Sequence, residues 1–139
     1  MKNNESSVTL ENEECINLWL EGKDAWNKWV KENPKADVNF TNQNNNIERE
    51  AYRRSLDLIS FDGYCFPDGH INFSNIDFGI HSVSFAGVNF GNSNVNFQNA
   101  KFGSGDIDFR YATFGDGKVN FKQTVFGNGD VNFSSANFG

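Results

Sequence analysis

The fold is decided by Val131-Asn132-Phe133-Ser134-Ser135-Ala136-Asn137-Phe138-Gly139, the clearest copy of a twelve-residue unit that recurs from Ile59 onward. The phenylalanines of these units are separated alternately by five and seven residues, without a slip. They are Phe61, Phe66, Phe73, Phe78, Phe85, Phe90, Phe97, Phe102, Phe109, Phe114, Phe121, Phe126, Phe133 and Phe138. A fixed period over so long a stretch is typical of a solenoid, in which each repeat packs on its neighbours.

Each position of the unit has a recognisable role. The first position is always Ile or Val, and the third and eighth positions are always Phe. The second position is Ser, Asn or Asp, so that apolar and polar residues alternate as they do in a short strand. The sixth to eighth positions show a weaker form of the same alternation. We therefore expect two short strands per unit, with the rings stacked in a shared core and the polar side chains facing water.

The residues between these strands are typical of turns. Gly follows the second Phe of most units, and a further Gly recurs two places later in several of them. Gly adopts positive φ at low cost, and Asn, Asp and Ser favour turns. The sequence predicts a four-residue corner after each second Phe and a tighter two-residue corner after each first Phe.

The length of one coil follows from the volume of the inward side chains. Two phenylalanines per coil would crowd a ring of twelve residues, whereas twenty-four residues double the contents and roughly quadruple the enclosed area. This estimate favours a four-faced, 24-residue coil over the alternative, a flat two-faced coil of twelve residues.

The N-terminal part of the chain breaks the repeat pattern. Residues 13–33 have the apolar spacing of one helix, or of two helices hinged near Gly22. We interpret residues 1–37 as a helical cap over the first coil, with Trp19, Trp26 and Trp29 as its main contacts. Residues 38–58 are expected to hold a first strand followed by an inserted helix or loop, and residues 59–139 to form the β-solenoid.

Two motifs resemble those of pentapeptide-repeat proteins. Ala136-Asn137-Phe138 and similar triplets resemble the repeat itself, and Gly22-Lys23-Asp24-Ala25-Trp26-Asn27-Lys28-Trp29 resembles the segment that precedes the repeats in many bacterial members. The resemblance implies an all-β, right-handed parallel β-helix with four faces. It also implies that such rods form dimers, and that some members protect DNA gyrase by mimicking DNA.

Charge and composition exclude several classes of protein. The net charge is −6, and residues 1–58 (11 acids, 8 bases) and 59–139 (7 acids, 4 bases) carry −3 each. Direct nucleic-acid binding through a basic surface is not expected. The sequence shows neither a signal peptide nor a membrane span, which predicts a cytoplasmic protein. The two cysteines are too few to form a disulfide framework.

No motif predicts catalysis, a cofactor or a metal. Cys65, His70 and His81 are too few and too scattered for a zinc site, and the glycine-rich corners do not have the period of calcium-binding repeats. No catalytic triad or paired carboxylates recur at one position of the unit, so we do not expect an enzyme.

The function predicted from the sequence is therefore a non-catalytic protein-interaction or structural scaffold module with an unknown protein partner. The alternative is an acidic DNA mimic that binds a topoisomerase such as DNA gyrase. At the C-terminal end Val131, Phe133 and Phe138 are expected to form an open edge. Either the array continues in a longer protein, or two chains form a homodimer through this coil.

Overall fold

The structure, a computed structural model, describes residues 8–41 and 46–139. Residues 1–7 of the predicted cap and residues 42–45 of the predicted insertion lie outside the described residues. The elements in chain order are β1 (Thr9–Glu11), α1 (Asn12–Glu21), α2 (Lys23–Glu32), β2 (Asp37–Asn39), α3 (Asn46–Arg53), β3 (Leu58–Ser60), β4 (His70–Asn72), β5 (Ser82–Ser84), β6 (Asn94–Asn96), β7 (Ile107–Asp108), β8 (Val119–Asn120) and β9 (Val131–Asn132).

The strands form two sheets in which every pairing is parallel. One sheet has the order β1-β2-β4-β6-β8 and the other has the order β3-β5-β7-β9. Within the repeats, strand partners are 24 residues apart: Ile71 pairs with Val95 and Val95 with Val119, while Ile59 pairs with Val83. Successive twelve-residue units therefore lie in different sheets, as the 24-residue coil requires and the twelve-residue alternative does not.

Two further ladders complete the coil. Parallel bridges with the same spacing join Cys65, Asn89, Thr113 and Asn137 in one ladder, and Asp77, Lys101 and Val125 in the other. Along the chain, the β3 sheet is followed by the Cys65 ladder, the β4 sheet and the Asp77 ladder before the chain returns to β5. The repeats thus form a four-sided parallel β-solenoid, in which the two sheets lie on opposite sides.

The strands differ from the prediction in position and in length. Strands β3–β6 begin one residue before the first position of the unit, as in His70–Asn72, and β7–β9 begin at the first position. All of them end at the second position, directly before the Phe. The predicted strands over the sixth to eighth positions are reduced to bridges of a single residue. The expected strand over three full positions was therefore wrong in detail, although the inward and outward sides were assigned correctly.

The core is made of phenylalanine columns parallel to the solenoid axis. Rings 24 residues apart stack face to face, with centroid distances of 4.8–5.6 Å. Rings from the two sheets meet edge to face in the centre, for example Phe61 and Phe73 at 5.6 Å. Aromatic pairs prefer these two arrangements. The predicted core rings from Phe61 to Phe114 are all buried, and Phe121, Phe126 and Phe133 are partly buried.

Phe138 departs from the predicted core. Its ring stacks on Phe114 at 4.9 Å, as the column requires, but 54 % of the residue is exposed. The reason is that no described coil lies beyond it along the axis.

The corners explain the choice of polar residues in the repeat. In the two-residue corners the second residue has positive φ, including Asn75, Asn99 and Tyr111. The second-position residue of each unit, which precedes the Phe, accepts a hydrogen bond from the backbone N–H two residues later, as Asn96 Oδ1 does from Gln98 N at 2.8 Å. Asn, Asp and Ser make this local turn, so the outward polar residues also hold the backbone of the corner.

The second glycine of the four-residue corners has a different role from the one predicted. Gly69, Gly105, Gly117 and Gly129 are not at positive φ. A Cβ atom at Gly117 would overlap the backbone carbonyl of Ser93 in the preceding coil, and the other three glycines meet their preceding coil in the same way. These positions need Gly because adjacent coils approach too closely for any side chain.

Candidate functional surfaces

The cap covers the first coil more specifically than a helix alone would. The predicted helical region forms α1 and α2, joined at Gly22, which has φ of 105°. The segment 1–37 also contains a strand that was not predicted, β1, which pairs with β2. This strand extends the β4 sheet by one coil, so it covers an edge that would otherwise be unpaired.

Two tryptophans of the cap bond the backbone of the first repeat. Trp19 Nε1 donates to the carbonyl oxygen of Ser60 at 2.9 Å, and Trp26 Nε1 donates to that of Cys65 at 2.8 Å. Trp19 also stacks on Phe61 at 5.7 Å and so extends that phenylalanine column. Trp29 is only partly buried against the same core. The cap residues predicted from the sequence therefore lie at the end of the solenoid.

Asn27 is a cap residue whose role the sequence did not predict. Its Oδ1 accepts a hydrogen bond from Cys65 N at 2.7 Å, and its Nδ2 donates to the carbonyl of Gly63 at 3.2 Å. Trp26 and Asn27 together bond both backbone groups of Cys65, as a neighbouring β-bridge would. The signal that could have identified Asn27 is its place beside Trp26 in a motif that precedes an unpaired ladder.

Replacing Asn27 by alanine is expected to lower the free energy of unfolding by about 2 kcal/mol, because the N–H of Cys65 loses its partner in a partly buried place. Chemical denaturation followed by circular dichroism would measure the change. Asn27→Asp keeps the acceptor oxygen and should cost less than the alanine variant. An alanine variant as stable as the native protein would contradict this role.

Two titratable groups, Tyr64 and Cys15, are buried where the cap meets the first repeat. The Tyr64 hydroxyl donates to the carbonyl of Trp19 at 2.7 Å, and burial raises the pKa of Tyr64 to about 12. Burial, and secondly the charge of Glu11, raises the pKa of the Cys15 thiol well above its usual value. Both groups are therefore protonated at neutral pH, and we interpret them as packing residues of the cap.

The inserted segment forms α3, which covers the start of the Asp77 ladder. Ile47 and Ala51 are its buried residues. The Glu48 carboxylate lies against Gly79, where a Cβ atom would overlap it, and the Tyr52 ring meets the His81 ring edge on at 4.8 Å. Arg53 and Arg54 form ion pairs with Glu50 on the same helix.

Glu48 makes the contact of α3 sensitive to pH. Burial raises its pKa above the usual value, the negative charge of Asp77 raises it further, and His81 lowers it. A carboxyl group whose pKa is higher in the folded state stabilises the fold most at low pH, and this contribution is lost as the pH rises through the raised pKa.

Replacing Glu48 by glutamine is therefore expected to stabilise the protein relative to the native chain, by an amount that grows as the pH rises from about 4 to about 7. Urea denaturation of both proteins across this range would measure the difference. The difference should shrink when Asp77 is also replaced by asparagine, which removes one cause of the shift. A difference that stays constant with pH would contradict the prediction.

The opposite end of the solenoid is apolar and open within the described residues. Phe138, Val125 and Val131 are exposed by 54 %, 52 % and 38 %. The strands β8 and β9 are the last members of their sheets. The open edge predicted at Val131, Phe133 and Phe138 is therefore present in this structure, with Phe133 partly buried.

The metal-binding residue types do not converge. Within residues 8–41 and 46–139, no group of three or more His, Cys, Asp or Glu side chains could hold a metal ion. Cys65 is the first residue of the ladder that continues with Asn89, and both cysteines are free thiols. His81 is buried, and its Nδ1 has no hydrogen-bond partner in the described part of the chain. None of the described helices has the length and apolar character needed to cross a lipid bilayer.

The charges of the repeats are not spread evenly around the rod. The side formed by the β3 sheet, the residue directly before each strand and the two-residue corner after it carries four of the seven carboxylates of residues 59–139, namely Asp62, Asp106, Asp108 and Asp130, and one base, Arg110. The remaining three carboxylates are balanced by three lysines elsewhere. The whole net charge of −3 of the repeats therefore lies on one side. Arranging the acids on a 24-residue coil would have revealed this from the sequence.

Comparison of the chain with models of known protein families, with curated proteins and with solved structures finds no match. The resemblance to pentapeptide-repeat proteins therefore stays a prediction, carried by the motifs quoted above.

Proposed function

We propose that this chain is a non-catalytic module of the pentapeptide-repeat type, a right-handed four-faced β-helix that serves in the cytoplasm as a protein-interaction or structural scaffold. The observation that carries the proposal is the difference between the two ends of the rod. The cap bonds the first coil, whereas the last described coil presents exposed apolar side chains and the edges of two sheets.

The open end supports axial docking. A partner that places an apolar surface on Phe138 and Val131 would bury the ends of the phenylalanine columns and pair the strand edges. A second copy of the chain has such a surface, so a homodimer through the C-terminal coil is the simplest assembly. An unknown protein partner with an apolar surface would dock at the same place.

Light scattering coupled to size-exclusion chromatography tests the axial interface. The native chain is expected to have twice the monomer mass, and Phe138→Glu is expected to have the monomer mass, because a charge would be buried at the interface. Thr113→Glu places the same charge on an outer face and serves as the control. Two results together would reject the interaction role of this end. The native chain would stay monomeric, and it would capture the same proteins as Phe138→Glu.

A second candidate function is an acidic DNA mimic that binds a topoisomerase such as DNA gyrase. The observation that favours it is the segregation of net charge onto the β3 side, because a DNA-binding saddle would meet the net negative charge of the repeats there. A supercoiling assay with purified gyrase tests this candidate. Inhibition, or protection from quinolones, should weaken when Asp106 and Asp130 are replaced by asparagine, and an absence of both effects in the native chain would reject it.

A further inference from the structure

The side opposite the acidic surface has the complementary chemistry. We call the outer surface of β4, β6 and β8 the amide face; its outward residues are His70, Asn72, Asn94, Asn96, Lys118 and Asn120. These strands carry no carboxylate. They line a shallow groove of about 400 Å³. We call the outer surface of β3, β5, β7 and β9 the acidic face.

The side-chain oxygens of the asparagines on the amide face each accept a backbone hydrogen bond. Asn72, Asn96 and Asn120 accept backbone N–H groups of their own corners through Oδ1 at 2.8–2.9 Å, and Asn94 accepts Lys118 N at 2.8 Å. Only an oxygen can accept from an N–H, so these bonds fix the orientation of each amide. The outward atoms are therefore the Nδ2 donors, and within the described part of the chain Asn120 Nδ2 makes only a long contact of 3.4 Å, to Gln98 Oε1.

The acidic face offers acceptors in return. Asp106 Oδ1 accepts the backbone N–H of Asp130 at 2.9 Å, but a carboxylate keeps a second oxygen and further lone pairs. The side chains of Asp106 and Asp130 are exposed, and within the described residues neither carboxylate has an ion pair. The same is true of the Lys118 ammonium on the opposite face. Each face thus has unpaired groups of the kind that the other face can bind.

The two faces also share one spacing. Both are sides of the same solenoid, so their side chains repeat along the axis at the distance between neighbouring strands, about 4.8 Å. Donors on one copy can therefore align with acceptors on another copy over several coils. Two acidic faces would repel each other, and two amide faces would place donors against donors, so the complementary pairing joins unlike faces.

We propose that copies of this chain associate side by side, with the amide face of one copy against the acidic face of the next. Such an interface is heterologous, and it leaves one face of each kind free to continue the array. A contact about 15 Å wide and 20 Å long covers only ~300 Å² per copy, well below a stable interface. The association is therefore weak, needs high protein concentration, and is screened by salt.

This inference goes beyond the proposed axial interface, because it uses the sides of the rod and polar groups. Axial and side-by-side association respond oppositely to salt and to the Phe138→Glu substitution. Axial docking buries apolar surface and persists at high salt, but it is lost in Phe138→Glu. Side-by-side association is lost at high salt and persists in Phe138→Glu.

Sedimentation velocity of the full chain over a range of concentrations, at about 20 mM and about 300 mM salt, tests the proposal. At low salt the sedimentation coefficient should rise with protein concentration. At high salt the part of this rise that comes from side-by-side association should disappear. Lys118→Glu should weaken the association about tenfold or more, since it places a like charge against the acidic face. Lys28→Glu makes the same charge change on α2 and should leave the association unchanged.

Complementation provides the sharpest outcome. Asp130→Lys spoils the acidic face and Lys118→Glu spoils the amide face, so neither variant should associate alone. An equimolar mixture should associate again, because each variant keeps the face that the other has lost. A sedimentation coefficient independent of concentration at low salt, an equal loss in Lys28→Glu, or a mixture that stays dissociated would each overturn the proposal.

Discussion

Replacing Phe97 by alanine is expected to lower the free energy of unfolding by about 4 kcal/mol, the largest effect of any single core substitution predicted here. Phe97 is fully buried. Its ring stacks between Phe73 at 5.0 Å and Phe121 at 5.1 Å, and it meets Phe85 edge to face at 5.6 Å. Removing it leaves a cavity in the middle of a column, and the hydrogen-bonded coils above and below cannot close it.

Phe138→Ala is the matched control for this substitution. Phe138 also stacks on a ring of its column, Phe114 at 4.9 Å, but it is 54 % exposed and lies at the open end. Its removal is expected to cost less than about 1 kcal/mol in the monomer. Guanidinium denaturation would measure the loss of free energy of unfolding in both variants. Similar losses would show that the burial of a ring within its column does not determine its contribution to stability. Phe97→Leu, with a smaller loss, provides the comparison if the alanine variant does not fold.

Gly117→Ala is expected to destabilise the fold by about 3 kcal/mol although it adds only one methyl group. The new Cβ would overlap the carbonyl oxygen and carbon of Ser93, which are backbone atoms and cannot rotate away. Two coils must separate locally to accommodate it, and the hydrogen bonds between them lengthen. The measurement is the shift of the denaturation midpoint at an unchanged slope.

Gly87→Ala separates crowding from backbone strain. Gly87 has φ of 67°, but no atom lies within 4 Å of a Cβ built there. Alanine at this position should cost only about 1 kcal/mol, the ordinary cost of a side chain in the left-handed region. If Gly117→Ala were no more harmful than Gly87→Ala, the close approach of neighbouring coils would be refuted.

The sequence predicted the inward side of the repeats because Phe occupies only positions that face the core. The alternation of five and seven residues, together with ring volume, also favoured the 24-residue coil that the strand register shows. Strand boundaries were harder, because the same Asn can be read as an outward strand residue or as the acceptor that begins a corner. Asn96 is both, since it belongs to β6 and bonds Gln98 N.

The N-terminal part was predicted only in outline. The helical periodicity of residues 13–33 is local, so it predicted α1 and α2, but β1 is a strand of three residues with no periodic signal of its own. It is a strand because β2 provides a partner, which is a tertiary effect. Likewise, a net charge of −3 for residues 59–139 does not show on which side of the solenoid the charge lies. Only the 24-residue coil brings Asp106 and Asp130 to one side.

Residues 24 apart in the repeats, and not residues twelve apart, are neighbours along the solenoid axis. The native Cys65 allows a direct test, because its bridge partner is Asn89. In Asn89→Cys the two cysteines would lie opposite each other on adjacent strands, with Cα atoms about 4.8 Å apart, within the Cα–Cα range for a disulfide. In Asp77→Cys the introduced thiol would lie on another side of the coil, although a twelve-residue coil would place it next to Cys65.

Mild oxidation of both variants followed by peptide mapping by mass spectrometry is therefore the most direct measurement. We predict an intramolecular disulfide between Cys65 and the introduced cysteine in Asn89→Cys, and none in Asp77→Cys. A disulfide to Cys65 in Asp77→Cys and its absence in Asn89→Cys would contradict the four-sided solenoid and every surface assigned on it.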